Sequence, residues 1–266
     1  MRRGWRRVEA TIDGTTIHYE KQGQGSRRVV LLHGWGCDTK LMKPIADALS
    51  GEMRVLSLDF PGHGQSGRPP EPWGVPEFAS ATRRLLEQLD FLPCSVIAHS
   101  FGGRVTIQLA SEAPALFEKL VLTGAAGIRP PQTEEGRRRS EQYRRLRKLC
   151  DGLKKARIFG KLPERLEEQL RRKYGSRDYN ALDAEMRKTF VKVISLDLTD
   201  RLSRIQQPTL LLWGDRDTET PLWMGQKMEK LIPDAGLVVL EGGTHFAYLE
   251  QAPRFTAIVR HFLMEE

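Results

Sequence analysis

The chain has 266 residues, 39% hydrophobic and 29% charged, with a formal net charge of +8. That length can bury a large core without metal or disulfide staples, and the composition excludes disordered and collagen-like chains. No apolar run approaches the ~18 residues that span a bilayer, and the basic opening from Met1 to Arg7 meets Glu9, Asp13 and Glu20 at once, so it does not read as a secretory signal.

In chain order, segments 8–12 and 15–20 flank Asp13-Gly14, a strong hairpin signal. Short apolar runs follow at 29–32, 55–58, 95–98, 120–122, 209–213 and 237–240. Runs this short and this continuously apolar suit strands buried on both faces, as in a parallel sheet. Helical spacing lies between them at 41–49, 78–89, 104–112, 222–231 and 254–263. The alternation predicts an α/β fold: a mostly parallel, helix-covered central sheet.

The alternation breaks at 128–200, which reads as helical throughout, with Leu146, Leu149 and Leu153 on one spacing and Leu162, Leu166 and Leu170 on another. Short amphipathic helices need another surface for their apolar stripes. The segment is therefore expected to be a cap inserted into a core made of 1–127 and 201–266. Its apolar residues, among them Leu146, Leu149, Phe159, Phe190 and Ile194, are expected to pack. Residues 128–200 carry 20 Lys and Arg against 12 Asp and Glu, whereas the rest of the chain carries 22 of each. The molecule is a neutral body with one basic segment. Runs such as Arg137-Arg138-Arg139 can meet nucleic acid, an anionic membrane or an acidic substrate, or simply serve as a solvated face. No aromatic residue stands inside the run Arg137-Arg138-Arg139, which argues against stacking on single-stranded nucleic acid. Cys37, Cys94 and Cys150 are odd in number and match no metal spacing or disulfide framework, which favours a reducing cytoplasm and a chain without metal.

Ala98-His99-Ser100-Phe101-Gly102-Gly103 joins a strand to a helix, the context of a nucleophile elbow, in which a sharp turn projects the serine above the sheet. Ala98 stands where Gly is common. A serine hydroxyl needs a positioned base and an orienting acid. His245 lies just past the last strand, and Asp217 just past the strand at 209–213, so both share the end of the sheet that carries Ser100. The order Ser, acid, His is that of a triad. Asp215 competes with Asp217, which stands further into the loop, four residues before Pro221. His33-Gly34-Trp35-Gly36 follows the strand at 29–32, and its turn can bring the Trp35 N–H to face Ser100. With the Phe101 N–H it would form a two-donor oxyanion hole. Gly34, His99 and Phe246 are the candidate substrate contacts, and Trp35, Phe101 and Phe246 the candidate pocket walls. In Asp59-Phe60-Pro61-Gly62-His63-Gly64-Gln65-Ser66 the Asp and His read as structural, as do His18, His99 and His261 in any catalytic sense, since neighbours on the elbow point different ways.

Together these motifs, with Glu250-Gln251-Ala252-Pro253 after His245, resemble the α/β-hydrolase superfamily in its cap-bearing branch of esterases, lactonases and carbon–carbon bond hydrolases. The resemblance covers nearly the whole chain. It implies Ser100 as nucleophile, His245 as general base and then acid, Asp217 as orienting acid, and the Trp35 and Phe101 amides as oxyanion donors. Serine at 100 argues against the dehalogenase and epoxide-hydrolase members, which place Asp there. No cofactor is implied. The expected reaction is hydrolysis of small to medium esters or lactones through an acyl-enzyme. The alternative is carbon–carbon cleavage of an acidic substrate clamped by cap arginines, with Arg104 ambiguous for the same reason. A receptor retaining the triad would turn over slowly. Nucleic-acid or membrane binding through the basic segment would depend steeply on salt.

Overall fold

A computed structural model describes residues 6–131, 133–156 and 162–265. Phe159 lies outside them. The chain divides into two compact units, one of residues 1–129 and 191–266 and one of residues 130–190.

The larger unit is built on one eight-stranded sheet of β1 (Arg6–Ile12), β2 (Thr15–Gln22), β3 (Arg28–Leu32), β4 (Arg54–Leu58), β5 (Cys94–His99), β6 (Phe117–Thr123), β7 (Thr209–Gly214) and β8 (Ala235–Leu240), in the order β1-β2-β4-β3-β5-β6-β7-β8. The first two pairings, β1 with β2 and β2 with β4, are antiparallel and the rest are parallel. Asp13 and Gly14 close the opening hairpin with φ of 50° and 75°. Two consecutive positive φ angles define the type I′ turn whose twist matches paired strands.

Because strand side chains alternate in direction, the continuous apolar runs feed two cores. Val30, Leu32, Leu56, Val96, Leu120 and Leu122 share one cluster, and Val29, Leu31, Val55, Ile97 and Val121 the other. Helix α1 (Thr39–Leu49) covers the second face; α2 (Val75–Gln88) and α3 (Phe101–Glu112) cover the first. Asp38 starts α1 by accepting the Lys40 N–H at 3.0 Å, an ordinary N-cap.

The smaller unit holds α4 (Glu134–Ala156), α5 (Leu162–Tyr174), α6 (Arg177–Ala181) and most of α7 (Ala184–Ser195). Helix α4 packs on α5, with the Tyr143 and Tyr174 rings 5.6 Å apart and the Arg139 guanidinium 5.6 Å above Tyr174. The expectation that the leucine spacings there mark packed stripes fails in part: Leu149 is 65% exposed and Leu162 is exposed too, as is Ile194 further along α7, another residue expected to pack. On α4 the buried position is Cys150, one residue further round the helix, which leaves Leu149 on the shoulder beside Arg145 and Lys148.

The chain returns through a 3-10 turn at Thr199–Arg204, and α8 (Leu222–Leu231), α9 (Ala247–Glu250) and α10 (Ala252–Met264) complete the larger unit. Among the described residues, no helix is long and apolar enough to cross a membrane.

Candidate active site

Strand β5 ends at His99 and α3 begins at Phe101, so Ser100 alone turns the chain, with φ 50° and ψ −107°. A side-chain-bearing residue held at positive φ stores about 1–3 kcal/mol of strain and persists only where its surroundings over-determine it. Here the Ser100 N–H donates to Thr123 O at 3.2 Å, and Ser100 O accepts from Gly103 N and Ala126 N, each at 3.0 Å. Gly102 has no alternative residue: a Cβ there would lie 2.4 Å from the Leu32 carbonyl oxygen. Ala98 is fully buried in the apolar cluster, so the methyl group where Gly is common has a packed place.

The loop after β3 presses on this turn. The Gly102 N–H donates to His33 O at 3.1 Å, and a Cβ on Gly34 would come within 2.8 Å of His99 Nδ1 and 3.3 Å of Ser100 Cβ. His33 clamps the loop. The Phe60 N–H donates to His33 Nε2 at 3.0 Å, so the ring proton sits on Nδ1 and donates to Gly34 O at 2.7 Å. Burial pushes the His33 pKa down to about 4 and keeps the ring neutral. Among the described residues no hydrogen bond engages the Phe101 N–H, while the Gly102 and Gly103 amides donate to backbone carbonyls. Phe101's ring is buried against Trp35, Phe60 and Phe78, contrary to the expected pocket wall.

The turn at 59–66 is engaged in holding itself. Asp59 accepts from Thr39 N at 2.7 Å and Gln65 N at 2.8 Å, Ser66 Oγ donates to Asp59 O at 2.5 Å, and His63 Nδ1 donates to Pro61 O at 3.2 Å.

The loops after β7 and β8 bring Asp217 and His245 together. His245 Nδ1 lies 2.8 Å from Asp217 Oδ2. Asp217 is 5% exposed, and its Oδ1 accepts from Glu219 N and Thr220 N, both at 2.9 Å. The Thr220 hydroxyl lies 2.8 Å from Asp217 Oδ2 and 2.9 Å from Gly124 O. Burial works to raise the Asp217 pKa, but the His245 bond and charge and the Thr220 amide and hydroxyl outweigh it, and the carboxyl is held below its usual range. Asp215 is exposed and accepts from Gly242 N at 2.6 Å, so it is Asp217 that the structure places on His245.

Two links tie this pair to the Ser100 turn. Thr123, whose carbonyl receives the Ser100 N–H, precedes Gly124 (φ 49°), where a Cβ would stand 3.2 Å from Asp217 Oδ2 and 3.3 Å from His245 Nδ1. His99 Nε2 lies 2.9 Å from the His245 carbonyl, which can only accept, so Nε2 carries the proton. Among the described residues no hydrogen bond joins Ser100 Oγ to His245 Nε2, a contact that commonly tightens only with substrate bound. His99 is 1% exposed and presents almost no surface to a substrate, whereas Phe246 is 37% exposed. Burial first, and the neighbouring His245 second, push the His99 pKa down to about 3.

Sequence reasoning missed Thr220 and Gly124. The available signal for Thr220 was an Asp followed three residues later by Thr and then Pro221, the pattern of a turn closed on its own carboxylate. Among the described residues, no group of three or more His, Cys, Asp or Glu is arranged to hold a metal.

A family model described as the alpha/beta hydrolase family matches residues 29–258. The chain belongs to the alpha/beta hydrolase family. This hydrolase is 28% identical over 242 residues to a poly(3-hydroxyalkanoate) depolymerase of Ectopseudomonas oleovorans, covering 90% of this chain and 84% of that one. It is 27% identical over 276 residues to a 2-hydroxy-6-oxononadienedioate/2-hydroxy-6-oxononatrienedioate hydrolase of Pseudomonas sp, covering 96% and 94%. Among solved structures, the enol-lactonase from Burkholderia xenovorans LB400 superposes with a TM-score of 0.74 at 25% identity, covering 97% of this hydrolase and 100% of that chain.

Proposed function

We propose that this alpha/beta hydrolase cleaves small to medium carboxylic esters, lactones included, through an acyl-enzyme on Ser100. The observation that carries the reading is the 2.8 Å contact of His245 Nδ1 with a buried, multiply bonded Asp217, one strand loop away from a serine held at positive φ. Asp217 fixes the imidazole tautomer, leaving Nε2 bare to take the Ser100 proton. Ser100 Oγ then bonds to the ester carbonyl carbon, and the carbonyl oxygen becomes an oxyanion that accepts from the Trp35 and Phe101 N–H groups. Each such donor is worth about 10²–10³ in rate. His245 hands the proton to the departing alkoxide. Water attacks the acyl-Ser100 carbonyl, gives its proton to His245, and the acid leaves as Ser100 is reprotonated. The lactonase and the depolymerase among the similar proteins support carbonyl chemistry of this kind.

The similarity to a carbon–carbon hydrolase over 96% of this chain favours one second reading, the same triad cleaving a carbon–carbon bond of an acidic substrate. The test is hydrolysis of p-nitrophenyl esters from acetyl upward by wild type and Ser100→Ala. Multiple turnovers by wild type and a loss of about 10³-fold or more in Ser100→Ala are expected. Equal inertness of two folded proteins would remove the ester reading and leave the second.

A further inference from the structure

Arg104 is the one arginine or lysine that is buried among the described residues, at 8% exposure. Arginine is seldom buried without a carboxylate partner, because an uncompensated charge in a poorly solvated place is costly. Yet no carboxylate oxygen of the described residues lies within 4.0 Å of its guanidinium. Its one hydrogen bond runs from Nη1 to the Leu196 carbonyl, at 2.7 Å. The acid that acts on it electrostatically is Asp197, whose Oδ1 already accepts from Thr199 N at 3.0 Å, Thr199 Oγ1 at 2.6 Å and Arg129 N at 3.4 Å. The position adds to the cost. Arg104 lies in the first turns of α3, at the positive end of the helix, where a cation is disfavoured. Burial pulls its pKa down to about 10, so the group is still charged at neutral pH.

The same position points at the chemistry. Arg104 is four residues after Ser100, one turn of helix, and its Cα–Cβ bond is inclined, as in any helix, toward the Ser100 end of α3. The wall it bonds to is continuous with the site. Leu198 N donates to Gly127 O at 2.9 Å, and Ala126 N donates to Ser100 O at 3.0 Å. A guanidinium with four uncommitted N–H groups in a fixed fork suits a carboxylate above other anions of similar size.

We infer that Arg104 is a specificity-determining residue that receives a carboxylate of the substrate, so that the preferred esters carry an acid group beside the scissile bond. The inference rests on the assignment of Ser100 as nucleophile. It moves the acid-binding role from the exposed arginines of the helical unit to a buried one in the larger unit.

The test compares 4-nitrophenyl hydrogen glutarate with 4-nitrophenyl valerate, in wild type, Arg104→Gln and Arg104→Lys. Gln keeps a donor for Leu196 O and removes the charge; Lys keeps the charge and loses the fork. The expected ratio of kcat/KM, acid ester over neutral ester, exceeds about tenfold in wild type, collapses to about one in Arg104→Gln, and is intermediate in Arg104→Lys. A wild type without preference, or a ratio unmoved in Arg104→Gln, overturns the inference. Should Arg104→Gln fail to fold, the wild-type ratio and its fall in Arg104→Lys decide. Thermal shift with glutarate separates this inference from the ester reading. Protection of Ser100→Ala that vanishes in Arg104→Gln upholds Arg104 even where no ester turns over, and no protection of wild type at millimolar glutarate sinks it.

Discussion

At the scale of single residues, the contact of Asp217 with His245 is braced by a hydroxyl that no motif advertises. Asp217 Oδ2 meets both His245 Nδ1 and Thr220 Oγ1, each at 2.8 Å. Removing a hydroxyl from a buried carboxylate costs about 1–3 kcal/mol, because the remaining partner is left under-satisfied. Thr220→Val should therefore lower the melting temperature and reduce kcat/KM by about tenfold on any substrate, with the backbone turn intact because the Asp217 Oδ1 bonds come from amides. A kcat/KM within twofold of wild type would show that the hydroxyl serves Gly124 O alone. The turn at Ser100 and the meeting of Asp217 with His245 could be anticipated from the sequence because strand ends restrict where such groups can stand. Thr220 and Gly124 could not, since their roles arise only when two loops distant in sequence fold against each other. Asp217 over Asp215 was a matter of loop depth in the sequence, and depth is what the structure records: one is buried against the imidazole, the other exposed on Gly242 N.

At the scale of elements, the strands were the most legible part. Their apolar runs are continuous because both faces are covered, and few other local structures demand that. Helix starts were less so. Helix α3 begins at Phe101, three residues before the apolar spacing becomes visible, since Gly102 and Gly103 are poor helix formers retained for close approach. At Gly102 the neighbour is a backbone oxygen of β3, 2.4 Å from where a Cβ would be, and a strand bonded on both sides cannot give way cheaply. Gly102→Ala should lose about 3 kcal/mol or more of stability in chemical denaturation, a cost set by overpacking. A wild-type midpoint would mean that α3 can slide away from β3, and the strained Ser100 turn with it. The leucine spacing of α4 misled for a related reason: stripes at 146, 149 and 153 and at 146, 150 and 153 differ by a fraction of a turn, and Cys150 took the buried place.

At the scale of the whole molecule, three of the four buried histidines among the described residues set how the fold responds to acid. His33, His63 and His99 are each buried, and burial, the largest cause in each case, depresses their pKa values to about 4, about 3 and about 3. Unfolded, a histidine takes a proton below about pH 6.5. Between that pH and the folded values the unfolded chain binds more protons than the native one, so stability falls as pH falls. The contribution is fully present above about pH 6.5 and is lost progressively toward pH 4 for His33 and pH 3 for the other two. Each histidine gives a limiting slope of about 1.4 kcal/mol per pH unit, roughly 4 for the three together. Asp217, held below its usual range, adds a loss only at the acid end of this window. Denaturation midpoints measured from pH 7 to pH 4.5 should therefore drop steeply and monotonically, and His63→Asn should make the slope about a third shallower. A flat profile would mean that these rings gain their protons without unfolding, which the His33 bond from Phe60 N forbids, because a protonated Nε2 would face an amide donor 3.0 Å away. Acid stability thus reaches the Ser100 turn through one loop: the neutral His33 that the fold requires is also the clamp on Gly34, which packs against Ser100.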